Sequence, residues 1–183
     1  LKGMLFTELV DFIERNSDMA TAEQIIDEAN LKSSGAFTTV GNYPHQEMLQ
    51  LVGSASSILQ SPPQDLMRLF GKELFPRLYE SHPQFFDENV DNAPLFLERI
   101  QQHIHDEVIK LYPDSSPPKV LVSRNKGSLQ ITYESHRPFA LVALGLIEGC
   151  YEYFGKPVQV QFDENLDATS SSAQFSILDD LGE

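Results

Sequence analysis

Between residues 113 and 118 this chain changes its hydrophobic period from helical to extended, and that change constrains the fold more than any other feature. Upstream, Leu97, Ile100, Ile104, Val108 and Leu111 recur at the three-and-four spacing of an amphipathic helix, and Pro113 stops it. Ser115-Ser116-Pro117-Pro118 is a turn. Beyond it, Val120–Ser123 and Leu129–Tyr133 alternate at period two around Lys126-Gly127, so a hairpin is expected. Other helices are expected from Leu5, Phe6, Leu9, Val10, Phe12 and Ile13, from a Thr21-x-x-Gln24 cap through Asn30, and over Pro44–Leu59. Ser61-Pro62-Pro63-Gln64 then opens a helix to Tyr79, with Ser61 as its cap and proline at its first position. Residues 32–43 read as an irregular loop. A helix over Pro138–Phe154 ends at Gly155, and Val158–Phe162 returns as a strand. The class is therefore α+β, a helical lobe plus an antiparallel sheet. Residues 163–183 read as a mobile acidic and Ser-rich tail, in which Phe175, Ile177, Leu178 and Leu181 form at most a short amphipathic turn.

Two groups of side chains point to chemistry. If Ile131-Thr-Tyr-Glu-Ser-His-Arg137 is extended throughout, Tyr133, Ser135 and Arg137 share one face. Two hydroxyls and a planar guanidinium suit a pair of carboxylates, such as the propionates of a haem. A solvated polar strand face explains the same alternation. The preceding helix offers two histidines. His103 has Arg99, Asp106 and Glu107 three and four residues away and leans to the charged face, whereas His105 borders the apolar stripe. An imidazole there is either a satisfied core residue or, beside an apolar cavity, an axial ligand for iron.

Taken together, the His105 helix ending in Leu-Tyr-Pro, the Tyr133-x-Ser-x-Arg137 run and Gly145-Leu-Ile-Glu-Gly149, with Lys2-Gly3 and Phe70-Gly71, resemble the haem-nitric oxide/oxygen binding (H-NOX) family of bacterial gas sensors. The resemblance covers residues 1–162. It implies a distal helical lobe over about 1–63, a proximal lobe with the sheet over 64–162, and haem b buried between them. On that resemblance His105 is the proximal iron ligand, Tyr133, Ser135 and Arg137 bind the propionates, and Pro118 lies against the porphyrin. The distal pocket falls to Leu5, Leu9, Leu74, Leu78 and Val142. Val142 stands where oxygen-holding members carry a Tyr donor, and ordinary core packing explains the leucines equally. A pocket without a donor favours nitric oxide, with carbon monoxide as a second ligand, over oxygen. The resemblance further implies that nitric oxide weakens the bond to His105, and that the change is passed to a histidine kinase or to a diguanylate cyclase or phosphodiesterase.

Charge and cysteine usage narrow the alternatives. A net charge of -14 disfavours nucleic acid and anionic membranes, which reward a positive surface. No apolar run reaches bilayer length and the first residues lack a signal-peptide pattern, so a cytoplasmic location is expected. Cys150 is the single cysteine, which excludes an internal disulfide and covalent haem attachment through Cys-x-x-Cys-His; any haem is held noncovalently. Its place on an apolar helix fits a core thiol. No enzyme motif is present. A haem peroxidase needs a polar distal His or Arg that the expected pocket lacks, and a cofactor-free acidic interaction module is the remaining alternative.

Overall fold

The computed structural model describes residues 1–86 and 89–178, which divide into two compact units, Leu1–Phe70 and Gly71 onward. The division falls inside a helix, not at the 63/64 boundary expected from sequence.

The first unit contains α1 (Gly3–Arg15), α2 (Met19–Glu28), α3 (His45–Leu59) and the start of α4 (Pro63–Ser81). On α1, Phe6, Leu9, Phe12 and Ile13 recur at helical spacing and all are buried. The α2 cap is Asp18, not Thr21: Asp18 is extended and its carboxylate accepts the Thr21 N–H at 2.7 Å. A carboxylate reaches the third residue's N–H more readily than a Thr placed inside the first turn, and those bonds hold Asp18 below the usual carboxylate range. The α4 start shifts by one residue, with Pro63 first in the helix and the Pro62 carbonyl accepting from Asp65 and Leu66.

In the second unit, α4 continues and is followed by a 3₁₀ turn (Pro83–Phe85), α5 (Ala93–Arg99), a π-helical segment (Ile100–Ile104) and α6 (His105–Leu111). The helix expected to run unbroken through His105 is thus interrupted immediately before it. Next come β1 (Lys119–Asn125), β2 (Ser128–Glu134), α7 (Ala140–Tyr153), β3 (Val160–Gln161) and β4 (Ser172–Leu178). The sheet is antiparallel throughout, in the order β1-β2-β4-β3. Lys126 and Gly127 both have positive φ (43° and 82°), the left-handed pair that a two-residue hairpin between Asn125 and Ser128 requires. The strand expected over 158–162 shrinks to two residues.

The largest correction concerns the supposed tail. Residues 172–178 form β4, which pairs along the whole length of β2, from Glu134↔Ser172 to Ser128↔Leu178. Phe175 and Ile177 are fully buried beside Leu129 and Ile131, so the fold extends past residue 162. Ala173, Phe175 and Ile177 carry a period-two pattern that the low-complexity surroundings obscure. Leu181 lies outside the described residues.

Helix α7 closes on α4 through two glycines. A Cβ on Gly71 would lie 2.1 Å from the Val142 carbonyl oxygen, and one on Gly149 would lie 2.5 Å from that of Lys72. Each helix therefore presents hydrogen where the other presents backbone. Pro76 lies inside α4 and has no N–H to give Lys72, so that carbonyl lacks its helical donor at the point where Gly149 approaches. Gly71→Ala and Gly149→Ala both force the helices apart.

If β4 is structural, Phe175→Ala should lower unfolding free energy in urea by about 3–5 kcal/mol, the range for a buried aromatic truncation. Leu178→Ala, at a side chain 71% exposed, should change it by about 0.5 kcal/mol or less. Equal, small effects would place 172–178 outside the cooperative fold.

Candidate functional site

The second unit contains a cavity of about 200 Å³ with a largely apolar lining. Each wall comes from an element already described. Phe75, Leu78 and Tyr79 come from α4; Phe96, Leu97 and Ile100 from α5 and the π segment; Ala143, Leu146 and Ile147 from one face of α7; Val120, Ile131 and Tyr133 from the sheet. Pro118 and His105 complete it, with Phe86 stacked on Tyr79 at 4.5 Å between ring centroids.

His105 is the imidazole of this wall, while His103 is exposed, as expected from their neighbours. The π segment explains the placement. In an unbroken α-helix His105 would fall about 80° round from Leu97, at the edge of the stripe; one extra residue turns it by about 100°, to within about 20° of Leu97. The sequence signal for this was weak, because a one-residue insertion leaves both neighbouring helical patterns intact. Burial holds the His105 pKa below its ordinary value, and the adjacent Asp106 carboxylate opposes the shift. Its Nδ1 is buried with no hydrogen-bond partner among the described residues.

Tyr133, Ser135 and Arg137 do not share a strand face, because β2 ends at Glu134. Tyr133 alone is on the inward face, buried, and lines the cavity. The chain then turns: the Ser135 hydroxyl accepts the Arg137 N–H at 3.1 Å, and the Arg137 guanidinium donates to the Ser116 carbonyl at 2.9 Å. The three remain one cluster. Burial raises the Tyr133 phenol above its usual pKa, while a hydrogen bond with Ser135 and the charge of Arg137 oppose that rise. Arg137 also ties the Ser115–Pro118 turn, which carries Pro118 to the cavity, to the end of β2.

Of the expected distal residues, Leu78 lines this cavity. Leu74 is buried and Val142 half-buried, neither among its lining residues, and Leu5 and Leu9 belong to α1 of the first unit. Tyr79 was not foreseen. Its phenol is raised in pKa, first by desolvation and then by the neighbouring Tyr153 and Cys150, and it gives the wall a second hydroxyl besides Tyr133. Cys150 itself is fully buried, and desolvation pushes its thiol well up, so it is a core residue. Among the described residues no group of three or more His, Cys, Asp or Glu is arranged to hold a metal ion, and no helix is long and apolar enough to cross a membrane.

A haem fits these residues. An apolar wall suits a porphyrin, a half-buried imidazole whose Nδ1 is buried and unpartnered lines the cavity, and a cation with two hydroxyls gathers at the end of β2. Comparison with known proteins agrees. A family model described as Haem-NO-binding matches residues 2–162. Among solved structures, the H-NOX from Shewanella woodyi in its Fe(II)CO state with IWP-051 bound is 36% identical with a TM-score of 0.80, covering 100% of this chain and 97% of that one. The Fe(II) unliganded H-NOX protein from K. algicida is 28% identical with a TM-score of 0.86, covering 97% and 96%. No curated protein matches.

The depressed pKa of His105 predicts a pH effect on the protein before cofactor is added. Its folded pKa lies below the unfolded value of about 6.5, so protonation favours the unfolded chain. Stability should be fully retained above that pH and fall as pH drops through it. The loss between pH 7.5 and 5.5 in urea titrations should be smaller in His105→Gln; an identical loss in both proteins would contradict the desolvation.

Proposed function

Because this chain belongs to the haem-NO-binding (H-NOX) family, whose cofactor is haem b and whose members are gas sensors, we propose that it is a nitric oxide sensor with His105 as the iron ligand. The observation that carries the assignment is the His105 imidazole, with a buried and unpartnered Nδ1, among the lining residues of an otherwise largely apolar cavity. When bound, haem would supply a ferrous iron able to take a diatomic gas.

The chain's own residues then divide the work. His105 would hold the iron through its imidazole. A ligating histidine usually donates its other N–H to an acceptor that raises its basicity; the Nδ1 of His105 has none among the described residues, and without one His105 would be a weaker ligand. Tyr133, Ser135 and Arg137 would bind the propionates, Arg137 through a charge-assisted bond for which its guanidinium offers a fork. Pro118 and the aliphatic wall would exclude water and pack against the group. Oxygen binding depends on a hydrogen-bond donor at the ligand and nitric oxide binding does not, and Val142 occupies the place where the family resemblance puts such a donor.

A sensor without output chemistry acts through two conformations that differ in affinity for a partner. The partner class we propose is a histidine kinase, or a diguanylate cyclase or phosphodiesterase.

Absorption spectra of the reconstituted ferrous protein test the reading. Nitric oxide and carbon monoxide should each give a stable complex and air should not, with His105 lost only in the nitric oxide complex. A stable oxy spectrum that disappears in Tyr79→Phe would identify Tyr79 as a donor and overturn the selectivity. For the clamp, Arg137→Ala should speed haem transfer to a scavenger more than Ser135→Ala, since a charged hydrogen bond contributes about 1.5–3 kcal/mol against roughly 1 for a neutral one. Wild-type rates in Arg137→Ala would remove propionate binding as its role.

A further inference from the structure

The sheet is incomplete on one side of β4. On the other side β4 pairs with β2 from Ser172 to Leu178, but β3 reaches it only at Ser176 and Ile177. The two-residue hairpin makes Asn125↔Ser128 a hydrogen-bonded pair, and along an antiparallel strand the bonding alternates between the two sides. Leu129, Ile131 and Tyr133 therefore bond toward β4, to Ile177, Phe175 and Ala173, and the Ser135 N–H donating to the Ser171 carbonyl at 3.0 Å continues that series. The backbone N–H and C=O of Ser172, Gln174 and Ser176 consequently point away from β2. Gln161 of β3 is the partner of Ser176; among the described residues Ser172 and Gln174 have none on that side.

The gap they face is a cleft of about 510 Å³. Its far wall comes from the chain after β3, which closes into two turns of its own: the Leu166 N–H donates to the Asp163 carbonyl and the Ser170 N–H to that of Asp167, both at 3.1 Å. That wall leaves the edge of β4 bare. Edge strands are usually blunted by charge or proline, as β1 is by Lys119 and Arg124, whereas Ser172–Leu178 contains neither. Phe162 and Leu166 line the cleft together with Gln161 and Gln174, whose side-chain amides have no hydrogen-bond partner among the described residues. Asp163 is the one charged residue of the lining, on a chain of net charge -14.

We propose that this gap is a docking slot for an extended segment of a partner protein, about three residues at about 3.4 Å each, that adds a strand to β4 and carries a Lys or Arg toward Asp163. Backbone bonds to Ser172 and Gln174 supply affinity. The carboxylate selects a basic occupant over an acidic one, and over a second copy of this acidic chain. The slot shares no lining residue with the His105 cavity, so the proposal is independent of the haem reading.

The test is titration of the full-length protein with a blocked peptide, Lys-Val-Thr-Val-Lys, read by hydrogen exchange at single amides. Exchange at Ser172 and Gln174 should slow about tenfold at saturation, while Val122, whose N–H faces the outer edge of β1, should not change. The acidic counterpart Glu-Val-Thr-Val-Glu should protect neither. Gln174→Pro removes an outward N–H and leaves the ladder to β2 intact, so the variant should fold and lose the protection at Ser172. Asp163→Asn keeps the acceptor that holds the Asn165 N–H at 2.8 Å but removes the charge, and should weaken the basic peptide about two- to fivefold. No protection from the basic peptide, equal protection from the acidic one or at Val122, or wild-type binding in folded Gln174→Pro overturns the slot. Protection that rises with protein concentration and needs no peptide assigns the edge to a second copy and overturns it as well.

Discussion

An imidazole held out of water with one ring nitrogen unpartnered is costly, and the second unit is arranged so that this cost is incurred at one defined place. His105 is half-buried and reaches the cavity wall directly after the π segment, beside aliphatic and aromatic side chains and the Ser115–Pro118 turn fastened through Arg137 to the end of β2. A core histidine would normally find a carbonyl or carboxylate for its buried nitrogen. Nδ1 of His105 finds none among the described residues, so it is not a satisfied core residue, which is the reading that helix geometry alone favours.

The cavity depends in turn on how closely α7 approaches α4. The two glycine contacts bring the backbones together and direct Ala143, Leu146 and Ile147 along one face toward the space beside Phe75 and Leu78. The Gly145-Leu-Ile-Glu-Gly149 run thus has a packing reason at its second glycine, independent of any ligand. Arg124, paired with Glu98 across from β1 to α5, ties the sheet to the helix that leads into the π segment.

What the sequence made legible follows from how local each signal is. Periodicity found α1, α3, α4, α7 and the hairpin, because buried faces of ten or more residues and a two-residue turn at Lys126-Gly127 are determined within their own windows. It missed β4, because Phe175 and Ile177 are only two large apolar residues in a Ser-rich stretch and are buried by a partner strand about forty residues away. The π turn was invisible, since the α pattern is present in the residues and is overridden by the placement of His105. The clustering of Tyr133, Ser135 and Arg137 was anticipated for the wrong geometric reason. A strand was expected to align them, whereas a turn after Glu134 gathers them through the Ser135 hydroxyl and the Ser116 carbonyl. Tyr79 went unnoticed because nothing local distinguishes it from other aromatics on α4.

The central claim, that one particular histidine holds the iron, is tested most directly by the ferrous absorption spectrum of two substitutions measured with and without added imidazole. His105→Gly should lose the native spectrum and regain it when imidazole fills the vacated position, while His103→Gly, at an exposed side chain, should keep it without help. A native spectrum in His105→Gly without imidazole, together with its loss in His103→Gly, would contradict the account.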